Sequence, residues 1–174
     1  MNWKQLIRSE LEYGYKAAED LLDFVDEGDL GWKPSTGHNW MTTGQLLKHI
    51  TGSCGAGAKG FVTGDWGLPE GIDFNNMSPE EMLPPAEKLP TLETVDEAKE
   101  LLAEDKKTAF DMLDKSSEDD LANKIVEAPW DDLKVTLGQR FLQCVDHLNS
   151  HKAQLFYYLK LQGKPVNTGH LWGM

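Results

Sequence analysis

The sequence predicts an all-α protein, a four-helix bundle, and three observations point to it. Four stretches of roughly 17 to 25 residues place apolar side chains at steps of three and four, the spacing of one helix face. A glycine- and proline-rich stretch, residues 63–90, separates the second from the third and is too long for a hairpin between neighbouring helices. Neither side of that stretch could build a core alone, so residues 1–174 are expected to form a single domain.

The first helix covers residues 3–25, with Trp3, Leu6, Ile7, Leu11, Ala18, Leu21, Leu22 and Val25 on one face. Gly14 costs it about 1 kcal/mol without breaking it, and Gly28 suits its C-terminal cap. Residues 30–39 hold Pro34, Ser35, Thr36 and Gly37 and read as a loop. Thr42 or Thr43 caps a second helix that runs to Phe61, and Gln45 stands three residues after Thr42 as in a capping box. Its stripe is Leu46, Leu47, Ile50, Cys54, Ala58 and Phe61. Residues 63–90 hold one short helical turn at 78–82, and the connection either runs the length of the bundle or lies over one end as a lid.

Thr94, with Glu97 at the third helical position, opens a third helix ending near Lys115. Ala98, Leu101, Leu102, Ala109, Met112 and Leu113 form its core face, and a short turn follows at residues 117–121. Residues 124–127 and 133–136 are short and β-prone around a turn-like 128–132, which leaves room for a small β-hairpin before the last helix. The fourth helix spans residues 137–161, where Gly163 caps it and Pro165 blocks continuation. The tail, residues 166–174, is glycine-rich and carries His170 and Trp172.

Charge narrows the partners. With 29 acidic against 17 basic residues the net charge is −12, which argues against phosphate backbones and against anionic membrane surfaces. No apolar run approaches the ~18 residues of a membrane-spanning helix. The first residues show no apolar leader, so a cytoplasmic protein is expected. Cys54 and Cys144 are far apart in sequence and read as two free thiols in a reducing compartment.

The chemistry gathers on the fourth helix. His147 and His151, at i and i+4, stack one turn apart on one face and can reach a single divalent cation. Such a pair also arises by chance, so a third ligand matters. His49, at the edge of the second helix's apolar stripe, is the candidate, its alternative being a hydrogen-bonded core histidine. Three imidazoles leave at least one coordination position open, the pattern of catalytic rather than structural zinc. Arg140, Cys144, Gln154 and Tyr158 share the histidine face. Arg140 would contact a carboxylate or phosphate, or else form a surface ion pair. Gln154 and Asp146 could orient imidazoles, with a solvated position the alternative for Asp146. Cys144 is either packing or else a thiolate ligand or nucleophile, while His38, Trp40, His170 and Trp172 have either local roles or line a bundle-end pocket. No G-x-S-x-G, GxGxxG or P-loop is present, the residue after His147 is not the glutamate of a zinc protease, and neither histidine has the glutamate of a di-iron Glu-x-x-His motif.

The chain resembles the DinB-like (YfiT-like) family of small metal-binding four-helix bundles. The resemblance rests on Thr43-Gly44-Gln45-Leu46-Leu47-Lys48-His49-Ile50, on His147-x3-His151 with Ala153-Gln154-Leu155, on Tyr158-Leu159-x-Leu161-x-Gly163-Lys164-Pro165, and on Pro129-Trp130 before the fourth helix. It implies a bundle with a long crossover between helices 2 and 3, and a metal triad of His49, His147 and His151. It also implies one divalent ion per chain, zinc, nickel or iron, and a homodimer. Characterised relatives include thiol S-transferases that use low-molecular-weight thiols. A thiol transferase is therefore the leading expectation, with Arg140, Gln154 and Tyr158 as substrate contacts. A non-catalytic dimeric metal-binding or sensing module and a metal-dependent hydrolase are the alternatives.

Overall fold

Local capping sets where the helices begin. A computed structural model describes residues 2–67, 76–82 and 84–174. Helix α1 (Trp3–Leu22) starts at Asn2, whose side chain accepts the Gln5 N–H while the Gln5 side chain accepts the Asn2 N–H. Helix α2 (Thr43–Ile50) starts at the Thr42/Gln45 box read from the sequence. Helix α3 (Gly55–Thr63) follows, then the short α4 (Pro79–Met82) and a 3₁₀ turn (Ala86–Lys88). Helix α5 (Val95–Lys115) is capped by Thr94, and α6 (Glu118–Asn123) by Ser117. Strands β1 (Ile125–Ala128) and β2 (Asp131–Thr136) pair antiparallel, in register Ile125↔Thr136 and Val126↔Val135 with an irregularity before Ala128↔Asp131. Helix α7 (Leu137–Leu161) and the short α8 (Thr168–Trp172) complete the chain.

The fold is all-α apart from that hairpin. Helix α5 packs on α1 and α3, and α7 packs on α1, α2 and α3, so α2 and α3 together fill one of four bundle positions. Ile7, Leu11, Leu21, Leu46, Leu102 and Leu148 are fully buried between them. Among the described residues no helix is long and apolar enough to cross a membrane.

Two expectations need correction. The first helix ends at Leu22 rather than Val25, and Gly28 lies inside a separate 3₁₀ turn (Glu27–Asp29) rather than capping α1. That turn is tied from outside: Glu27 Oε1 accepts the Val95 N–H, and Lys164 bridges Asp26 and Asp29. The second helix is two helices, broken at residues 51–54. There the Thr51 and Ser53 hydroxyls donate to the Lys48 and Ile50 carbonyls. Asp105 of α5 then caps the new start, its Oδ1 accepting the Ala56 N–H at 3.1 Å. Gly55 is obligatory at this crossing, since a Cβ would fall 2.2 Å from the Asp105 carbonyl oxygen. The glycine-rich tail forms α8, held by Lys152 Nζ donating to the Leu171 carbonyl and by His170 packing edge-on to Phe24. The lid expected of residues 63–90 concerns in part 68–75 and 83, which lie outside the described residues.

Candidate metal centre

Packing of α2 against α7 carries His49, in the last turn of α2, onto the face that presents His147 and His151. The three rings meet edge to face, with centroids 4.2–5.0 Å apart. One nitrogen from each lies within 4.8 Å of the others, and the Nε2 atoms of His49 and His147 are 3.0 Å apart. Nitrogens on one cation with bonds of ~2.1 Å sit about 3–3.5 Å apart, so this set is a slightly widened coordination sphere.

Hydrogen bonds behind the rings decide which nitrogens face the centre. Tyr158 Oη lies 3.0 Å from the Met41 carbonyl, which can only accept, so the tyrosine donates there. Its oxygen is left to accept from the Gln154 amide NH₂ at 3.2 Å. That turns Gln154 Oε1 toward His151, whose Nδ1 must carry the proton it donates across 3.1 Å. His147 Nδ1 likewise donates to the Ser53 carbonyl at 3.0 Å. The break between α2 and α3 is what puts this carbonyl in reach. Both α7 histidines are thus held in the tautomer with a bare Nε2. At 3.0 Å, two bare lone pairs on His49 and His147 repel, so a proton or a cation belongs between them. On this donor set the residues fit a divalent ion.

Electrostatics keep the rings neutral. Burial, then the neighbouring His151 and His147, push His49 down to about 4. Burial also lowers His147 and His151, opposed by their bonds to Ser53 and Gln154. Neutral imidazole is the form that ligates.

The triad borders two recesses. A cleft of about 200 Å³ lies against Gln45, Lys48, Leu89 and Pro90. A cavity of about 860 Å³ runs the other way, along Ser53, Ala56 and Gly57 to Phe61, Trp66 and Trp130.

The remaining residues singled out in the sequence are distributed as follows. Arg140 lines the large cavity but is buried, 2% exposed, and its guanidinium grips both Asp131 oxygens at 3.0 and 2.7 Å. It also donates to Gln143 and to the Leu133 carbonyl, tying the hairpin to α7. Its Nε–H finds no partner among the described residues. Gln154 and Tyr158 stand behind His151 in the chain just described. Asp146 is exposed, and its charge acts to raise His147. Cys144 lines the cavity as a free thiol that burial pushes up to about 12, and Cys54 is buried beside Tyr15 and Asp105. Trp40 bonds the Thr36 carbonyl, His170 accepts the Asn167 N–H, and Trp172 lies beneath Lys152. Neither His38 nor His170 joins the triad. Sequence reasoning missed Ser53, Trp66 and Asp131. Ser53 acts through its main-chain carbonyl and leaves no signal, Trp66 showed only as an aromatic in a polar connection, and Asp131 only as an acid in a turn-like stretch.

Fold and site together define a class: a helical bundle that brings a three-histidine group, able to hold a metal ion, together on facing helices. Residues 10–155 match the DinB superfamily, and the chain belongs to it. A crystal structure of a DinB-like protein, YjoA from Bacillus subtilis, shares the fold with a TM-score of 0.65 at 20% identity, covering 92% of this chain and 94% of that one. No curated protein matches the chain.

Proposed function

We propose that this protein is a metal-dependent transferase that joins a low-molecular-weight thiol to an electrophilic small molecule at His49, His147 and His151. The observation that carries the proposal is the convergence of three neutral imidazoles, two of them locked with Nε2 facing inward, on the wall of a large cavity. A divalent ion held there, zinc, nickel or iron, would supply Lewis acidity, favouring thiolate over thiol at neutral pH. The protein offers no competing sulfur nucleophile at this wall, since Cys144 is held as a thiol far above neutrality. The nucleophile therefore comes from outside. In the reaction a sulfur–carbon bond forms, the thiol proton passes to solvent, and the electrophile's leaving group departs.

Arg140 shapes the cavity wall and, with its charge already matched by Asp131, orients rather than attracts an anionic substrate. Gln154 and Tyr158 serve by holding His151. The protein is taken to be a cytoplasmic homodimer, to which the exposed Tyr157 and Leu161 of α7 offer apolar area.

The test is elemental analysis of untagged protein prepared without chelator or nickel resin, followed by turnover of chlorodinitrobenzene with a panel of cellular thiols. About one metal per chain and saturable conjugation are expected, and His147→Ala should lose both. Metal without turnover would sink the transferase. It would favour a non-catalytic metal-binding module instead, a reading that gains weight because the only carboxylate among the described lining residues, Asp131, is spent on Arg140. Ester hydrolysis without added thiol would instead point to a hydrolase.

A further inference from the structure

The large cavity has a second end that the histidines do not explain. Phe61 near the end of α3, Trp66 just beyond it and Trp130 at the hairpin turn meet edge to face. Their centroids are 5.0 Å (Phe61–Trp66), 6.0 Å (Phe61–Trp130) and 5.2 Å (Trp66–Trp130) apart, within the range of favourable aromatic pairs.

Each ring is held where it is. Trp66 lies on Gly60, where a Cβ would come within 2.1 Å of the indole. Phe61 is buried in the core, with the Arg140 guanidinium 5.2 Å from its centroid. Trp130 sits between β1 and β2, and the Arg140–Asp131 pair anchors that hairpin to α7. Between histidines and aromatics, the wall at the start of α3 is small: Ser53, Ala56 and Gly57. The Arg140 charge is matched by Asp131, so among the described residues this end offers no unmatched charge for an ionic group. The volume, about 860 Å³, falls in the usual range of small-molecule sites.

We infer that the Phe61–Trp66–Trp130 corner is the specificity element of the site, taking an uncharged aromatic group of a small molecule whose donor head reaches His49, His147 and His151. For the head group this rests on the metal centre proposed above; for the aromatic group it rests on the cavity alone. The ligand is thus bipartite, a metal-seeking head on an aromatic body, and of the two substrates in the proposed reaction the electrophile fits it best. Small aliphatic electrophiles would make no ring contact with the corner and react poorly.

Hydroxamates probe both ends, because the head chelates a metal whatever the tail. With metal-loaded protein, the affinities of acetohydroxamate and of benzo-, phenylaceto- and phenylpropionohydroxamate are compared by calorimetry. The best aromatic member should bind at least about tenfold tighter than acetohydroxamate, the gain expected from seating one ring against aromatic neighbours. Trp130→Ala should cut that ratio to about threefold or less, and Trp130→Phe should restore most of it. Trp130 is half exposed, so its removal spares the core. Equal affinities across the series, or a ratio unmoved by both Trp130→Ala and Trp66→Ala, would overturn the inference. If the protein takes up no metal, the proposed function fails separately, and saturation-transfer NMR with phenylpropanol on metal-free protein decides the corner. Transfer to the phenyl protons that is lost in Trp130→Ala supports it, and no transfer in the unmodified protein overturns it.

Discussion

At the scale of single residues, the centre depends as much on what stands behind the histidines as on the histidines themselves. Gln154 is half-buried, and the Met41 carbonyl fixes its orientation through Tyr158. Replacing it with leucine frees His151 to rotate and to change tautomer. Gln154→Leu should weaken metal binding by about 10–100-fold, the usual cost of losing an outer partner, which competition against a chromogenic chelator would measure. The lowered titration of His49 has a consequence for the metal-free fold. Above about pH 6.5 the ring is neutral in both folded and unfolded chains. As pH falls the unfolded chain takes up its proton first, whereas the folded one waits until about 4. In that window the unfolded state binds more protons, so stability falls with pH and levels off below it. Urea midpoints of the metal-free protein should drop between about pH 6.5 and 4. The drop should be shallower in His49→Gln, and identical slopes would contradict the assignment.

Among the elements, the α2–α3 break matters most. It sets the Ser53 carbonyl against His147, and it exists because Asp105 of α5 supplies a cap in mid-stripe. Asp105 is 6% exposed and also accepts the Tyr15 hydroxyl at 2.7 Å. Burial raises its pKa, against the hydrogen bonds that lower it. Asp105→Ala leaves a buried hydroxyl and a helix N-terminus without their acceptor and should cost about 3 kcal/mol or more. Asp105→Asn keeps an acceptor for Ala56, can donate to Tyr15, and should cost less than half as much. Chemical denaturation of the two variants distinguishes a specific cap from general intolerance at this position. The hairpin is the second element that shapes the site: the Arg140–Asp131 bond ties the turn that carries Trp130 to α7.

Over the whole molecule, a bound ion would link two bundle positions already joined by packing and by the His147–Ser53 hydrogen bond. Metal at 100 times its dissociation constant adds about 2.7 kcal/mol, which for a domain of this size is roughly 5–10 °C of thermal midpoint. Stripping the protein with a chelator should lower the midpoint by that amount, and readdition of metal should restore it. No change on stripping protein shown to contain metal would place the ion elsewhere than between α2 and α7.

Much of the bundle was legible because its signals are local. Thr42 and Thr94 cap helices, as their spacing to Gln45 and Glu97 indicated, and α7 begins and ends where its periodicity and Gly163 place it. His147 and His151 share a face by helical geometry, and Thr43–Ile50 with His147-x3-His151 marked His49 as their partner. What escaped depends on atoms distant in sequence. The break after Ile50 needs Asp105, the α8 turn needs Lys152 and Phe24, and the burial of Arg140 needs Asp131 across the hairpin. The tautomers needed Ser53 and Met41, neither of which carries a sequence signal. By itself, then, the sequence determined most of the helices, their faces and the pairing of His147 with His151, because those follow from spacing along one chain, and the family resemblance added His49. Only the tertiary structure decided which nitrogens face inward and how the cavity beyond them ends, because long-range packing chooses the partner of every buried polar group.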